Sequence, residues 1–143
     1  MSKKANRLSS LFDDLKNKFE FDGKIDSDGL GAEIGIPDHE KTIFVSYAFD
    51  PSQDSYEFGT ALGQIDEEHI LAVASEVMFS QPIRGITERI DDQGRFIVTG
   101  SRDGLQNLPD IDVQKGYMDD VSRISESNEQ FKGILGRLFK NDG

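Results

Sequence analysis

The chain of 143 residues carries 16 Lys+Arg against 27 Asp+Glu, a net charge of −11, and is 36% hydrophobic and 30% charged. That length suits one domain with a single core, the composition is that of a folded chain, and zero Cys excludes disulfides, thiolate metal sites and a cysteine nucleophile. No stretch approaches the ~18 apolar residues of a membrane span, and the acidity argues against binding a phosphate backbone, which needs a positive footprint.

Met1-Ser2-Lys3-Lys4 is basic, but Asp13 and Asp14 interrupt the apolar stretch that follows. No signal peptide is visible, and a cytoplasmic compartment is expected. Leu8, Leu11, Phe12, Leu15 and Phe19 recur at helical spacing and predict a helix over roughly 6–20, capped by Asn6 and ending before Asp22-Gly23. Asp22 to Gly29 reads as a polar loop. Three short strands follow from the alternation of Ala32, Ile34 and Ile36, of Ile43, Val45, Tyr47 and Phe49, and of Tyr56, Phe58, Thr60 and Leu62. The breaks Pro37-Asp38-His39-Glu40 and Asp50-Pro51-Ser52-Gln53-Asp54 have turn chemistry. Strands joined so tightly predict an antiparallel meander, because parallel neighbours need a long crossover.

Asp66 stands where an N-cap would, with Glu67 and Glu68 in the first turn of a second helix. Ile70, Leu71, Val73, Ala74, Val77 and Met78 give that helix a wide apolar face, the pattern of a helix buried against a sheet. Ile83–Ile90 and Arg95–Gly100 read as strands joined by the hairpin turn Asp91-Asp92-Gln93-Gly94. A loop to about Asp110 precedes a long helix that reaches roughly residue 139. The predicted order is α-β-β-β-α-β-β-α: one α+β domain over 1–143, with helices packed on a five-stranded, mainly antiparallel sheet.

Along the last helix Tyr117, Val121, Ile124, Asn128, Phe131, Leu135 and Leu138 alternate at spacings of four and three, a heptad seam with one polar position. It suits either a helix docked on its own sheet or a self-association seam in which Asn128 sets register. Gly133 and Gly136 weaken the second reading, each costing about 1 kcal/mol of helix propensity relative to Ala.

Groups able to carry chemistry are sparse. His39 and His69 lie at no zinc-ligand spacing and read as exposed polar side chains. The acidic loop around Asp26 and Asp28 fails as a calcium loop, because Lys24 takes its first ligand position and Gly35 its last. Gly29, Gly31 and Gly35 lack the spacing of a phosphate loop, and no GxSxG elbow exists. The pairs Asp13-Asp14, Asp91-Asp92 and Asp119-Asp120 are adjacent, so their side chains point apart on a strand or helix. No catalytic residue, metal or cofactor is expected. Charge is uneven: residues 19–81 hold 14 acidic side chains against Lys24 and Lys41 only. Such a span is either a solvated surface or a docking face for a basic partner.

The element order, together with Lys41-Thr42-Ile43-Phe44-Val45, the helix Ile70-Leu71-Ala72-Val73-Ala74-Ser75-Glu76-Val77-Met78 and the hairpin Ile90-Asp91-Asp92-Gln93-Gly94-Arg95-Phe96-Ile97-Val98, resembles the type III secretion chaperone-like group, including the YbjN family. The chain departs from that pattern at Phe79-Ser80-Gln81-Pro82, where the central helix commonly runs into Asn. The resemblance implies a non-catalytic protein that binds another polypeptide, often as a homodimer, with an extended client segment laid over helix and sheet surfaces. Leu11, Leu15 and Phe19 on the first helix are the candidate partner-binding residues, unless they are internal core. Val121, Ile124, Asn128, Phe131, Leu135 and Leu138 are the candidate dimer interface. A basic or partly unfolded protein client suits the charge. The rival functions are an immunity or sensory-regulator protein that inhibits a partner enzyme, a small enzyme using acidic residues, and a nucleic-acid mimic.

Overall fold

The computed structural model describes residues 7–38 and 41–139; Asn6 and His39, read above as a helix cap and a turn residue, lie outside them. Helix α1 (Arg7–Phe19) buries Leu8, Leu11, Phe12 and Leu15 along one stripe. It stops where Glu20 enters the left-handed region at φ 53°, a conformation that cannot continue a right-handed helix.

Six strands follow: β1 (Gly23–Ile25), β2 (Gly31–Pro37), β3 (Thr42–Asp50), β4 (Ser55–Gln64), β5 (Thr87–Ile90) and β6 (Arg95–Arg102). All pairings are antiparallel, in the order β1-β2-β3-β4-β6-β5. The meander β2–β3–β4 is as expected, but the sheet has six strands, not five. The extra strand, β1, lies within the stretch read as the loop Asp22 to Gly29. It has three residues and one apolar side chain, so no alternation marks it; it exists because Gly23, Lys24 and Ile25 pair with Ile34, Glu33 and Ala32. At the other end, the strand expected over Ile83–Ile90 is confined to its last four residues.

Along β3 every second side chain is buried, from Ile43 through Val45 and Tyr47 to Phe49, while the alternate ones face out. One face of the sheet therefore carries the core and the other is open. Helix α3 (Asp110–Phe139) begins directly after Pro109, crosses the core face, and packs against α1 and β6. Its Phe131 stacks on Phe96 with ring centroids 4.2 Å apart. Gly63 makes room for that stack, because a Cβ there would lie 2.9 Å from the Phe131 ring. Leu62 is the extra residue of a bulge at this point in β4.

A single-turn 3-10 helix (Glu67–His69) leads into α2 (Ile70–Phe79), which packs against α3 and β5. Asp66 makes no side-chain capping bond. The expectation that the wide apolar face of α2 is buried does not hold. Val73 is fully buried, but Leu71, Met78 and Phe79 are 86%, 77% and 83% exposed. α2 lies at the β5 end of the sheet, where it has α3 and the short β5 to pack on, so only part of its apolar circumference is covered. Among the described residues no helix is long and apolar enough to cross a membrane.

Candidate functional site

An apolar groove of about 250 Å³ opens between α1, α3 and β2. Phe12, Leu15 and Phe19 supply it from α1, Ile34 and Ile36 from β2, and Tyr117, Met118 and Val121 from α3; Phe21, just past the turn at Glu20, closes one end. Phe12, Leu15 and Phe19 on α1 and Met118 and Val121 on α3 follow helical spacing, and Ile34 and Ile36 follow strand spacing, so each element turns an apolar edge inward. Phe12 organises the inner wall. Its ring meets Phe21, Tyr47 and Tyr117 in edge-to-face contacts with centroids 5.9, 5.3 and 5.4 Å away.

A polar cluster is buried in the same layer. The Tyr56 hydroxyl donates to Asp120 Oδ2 at 2.5 Å, and Arg102 Nε donates to Asp120 Oδ1 at 2.8 Å. Burial pushes the Asp120 carboxyl above its ordinary pKa, and the Tyr56 hydrogen bond and the Arg102 charge oppose that shift. The Tyr117 hydroxyl donates to the Leu8 carbonyl at 2.8 Å. Tyr47 differs. It lines the groove, is 3% exposed, and its hydroxyl is buried with no hydrogen-bond partner among the described residues.

The candidate partner-binding residues divide. Leu11 and Leu15 belong to the core, Leu15 also forming groove wall, while Phe19 is 52% exposed at the groove mouth. The heptad positions of α3 divide too. Ile124, Asn128 and Phe131 are buried within the chain's own core layer, Val121 and Leu135 pack partly against it, and Leu138 is exposed. What remains of the seam for a second copy is Val121, Leu135 and Leu138.

The surface of α2 was legible in sequence as an apolar helix but not as an uncovered one. Beside it, a hollow of about 460 Å³ is lined by Val77, Met78, Pro82, Ile83, Ile86 and Ile90. His69, expected to be an exposed polar side chain, is half-buried with its ring edge-on to Phe139 at 4.6 Å. It also brings a ring nitrogen within 4.8 Å of carboxylate oxygens of Asp66 and Glu68, both exposed. That grouping follows from their places in one short turn and is ordinary for an acidic surface. The sheet edges are β1 and β5, and β1 lies beside the β2 wall of the groove.

No protein-family model matches the chain. No curated protein matches it either. Solved structures do. A chain in the structure of the HopA1–SchA chaperone–effector complex aligns over 94% of this chain and 97% of its own length, with a TM-score of 0.51 and 16% identity. A chain in the crystal structure of the Yersinia pestis type III secretion chaperone SycH in complex with a stable fragment of YscM2 aligns over 80% of this chain and 97% of its own length, with a TM-score of 0.44 and 12% identity. The fold built by these helices and strands resembles that of a chain in a solved chaperone–effector complex.

Proposed function

We propose that the protein is a non-catalytic, chaperone-like binding module that holds a polypeptide partner in the groove between α1, α3 and β2. The observation that carries this reading is an open groove lined almost wholly by apolar side chains, with Phe19 and Met118 left exposed at its mouth. Contiguous apolar surface of this kind marks an interaction site. The neighbouring edge of β1 offers unpaired backbone groups to which an extended client can add a strand. The span 19–81, which contributes Phe19, Phe21 and the β2 wall, is strongly acidic and favours a basic client. The cytoplasmic expectation belongs to the same reading.

The same proposal includes a homodimer, with α2 rather than the α3 seam as its centre. Leu71, Met78 and Phe79 are the most exposed large apolar side chains described, and the only charged residue of α2, Glu76, bonds to Arg137 at 3.1 Å. Two copies of a chain with net charge −11 meet with least repulsion through a face that carries almost none of that charge.

The test is native mass spectrometry of tagged protein purified gently from its source cells, alongside a Phe19→Asp, Met118→Asp variant. A stoichiometric polypeptide present on the wild type and lost from the variant supports the groove. A polypeptide retained equally by both places the binding surface elsewhere.

A further inference from the structure

Helix α2 is held to the rest of the chain by little buried surface. Of its ten residues only Val73 is buried, whereas α1 buries five of thirteen. Contacts with the second half of α3 run along it. Gln130 Nε2 donates to the Gln81 carbonyl, just past the C-terminus of α2, at 3.0 Å. Arg137 pairs with Glu76 at 3.1 Å, and the Phe139 ring meets His69, just before the N-terminus of α2, at 4.6 Å. The ion pair is exposed on both sides and so contributes little.

That stretch of α3 is itself weakened. Phe131 is fixed by its stack on Phe96, but Gly133 and Gly136 stand between it and Phe139, and both are exposed. A Cβ at Gly136 would meet nothing within 4 Å, and one at Gly133 only the Arg137 guanidinium at 3.9 Å. No close packing within the chain calls for either glycine, and in a helix interior only proline is less favourable.

We propose that α2 and the end of α3 beyond Phe131 open together as one unit while α1, the sheet and the rest of α3 stay folded. A segment opens locally when it buries few apolar side chains and its backbone gains little from its conformation, and both conditions meet here. Val73 in α2 and Ile134 in α3 are the buried side chains that opening exposes. β5 stays with the core, because Glu88 is bonded to Ser127 on the anchored part of α3. The hollow beside α2 has Val77 and Met78 on one side and Ile83, Ile86 and Ile90 on the other. Displacing α2 therefore uncovers an apolar wall that the closed unit keeps narrow.

The experiment is amide hydrogen exchange, read by NMR, on the full chain and on Gly133→Ala, Gly136→Ala and their double variant. All three variants are expected to fold, since the added methyl groups meet open space. In the wild type, amides of Ala74–Met78 and Leu135–Leu138 are expected to exchange at similar rates, at least about tenfold faster than those of Tyr117–Ile124. Each Gly→Ala change is expected to slow both fast segments about fivefold, the worth of one helix glycine, although neither glycine belongs to α2. If the α2 amides are unmoved in the double variant while the end of α3 slows, that end frays alone and the proposal fails. It fails equally if both segments are as protected in the wild type as Tyr117–Ile124.

Discussion

The Tyr56 hydroxyl and the Asp120 carboxylate, 64 positions apart in sequence, meet at 2.5 Å inside the protein and tie β4 to α3. Arg102 reaches the other carboxylate oxygen from β6 and is itself bonded to Asp119. Removing Asp120 leaves a buried hydroxyl and a part-buried guanidinium without their acceptor. Asp120→Ala is therefore expected to cost about 3–5 kcal/mol in urea unfolding, the range for breaking a buried pair. Tyr56→Phe is expected to cost about 1–3 kcal/mol, since it orphans one carboxylate oxygen while Arg102 remains. An Asp120→Ala protein as stable as the wild type would show that this cluster does not hold α3 to the sheet.

The β5–β6 hairpin predicts an acid dependence. Asp91 accepts the Arg95 backbone N–H at 2.9 Å, the Arg95 Nε at 2.8 Å and the Gln93 N–H at 3.0 Å. The Arg95 backbone bond foremost holds its carboxyl below the ordinary value. A depressed folded pKa contributes stability that is fully present above the unfolded value of about 3.9 and is lost as pH falls through the folded one. NMR titration is expected to show Asp91 protonating below the ordinary aspartate value of about 3.9. The stability gap between the wild type and Asp91→Asn is expected to shrink in acid. A gap that does not change with pH would assign the hairpin's stability to the Gly94 turn alone.

The α2 surface and the α3 seam make opposite predictions about oligomeric state. Leu71→Asp and Phe79→Asp alter exposed positions, so each is expected to change stability by only about 0.5 kcal/mol while converting a dimer to a monomer in light scattering. Ile124→Ala empties a fully buried site and is expected to cost about 2–5 kcal/mol without changing the mass of the folded particle. A dimer that survives both α2 substitutions but dissociates in Leu138→Asp would return the interface to the seam.

Within α1, two residues on one stripe separate packing from binding. Leu15→Ala is expected to destabilise by about 2–5 kcal/mol because Leu15 is core. Phe19→Ala is expected to leave the unfolding midpoint nearly unchanged and to weaken retention of the polypeptide partner in native mass spectrometry. Equal loss of stability in both variants would make Phe19 part of the core rather than the groove mouth.

Local physics made much of this fold legible. In β3, alternation is forced because one face of the sheet is buried and the other open, so Ile43, Val45, Tyr47 and Phe49 mark a strand without reference to any neighbour. The turn at Asp91 and Gly94 is equally local: an aspartate that bonds its own backbone and a glycine at φ 82° specify a hairpin wherever they occur between strands. The stripe of α1 follows the same logic at helical spacing.

The remainder depended on what each element meets. β1 is a strand only because β2 lies beside it, since three residues with one isoleucine carry no periodic signal. The apolar residues of α2 announce a helix, but hydrophobicity does not say whether a neighbour covers it; its place at the end of the sheet decides that. Likewise the spacing of Ile124, Phe131 and Leu138 serves a coiled coil and a docked helix equally well, and only the sheet beneath α3 distinguishes them. The groove is the extreme case. Phe19, Ile34, Tyr47 and Met118 come from four elements, so no run of sequence contains it. Sequence determined which residues avoid water, because that preference belongs to each side chain; tertiary structure decided which of them succeed, because burial requires a partner surface.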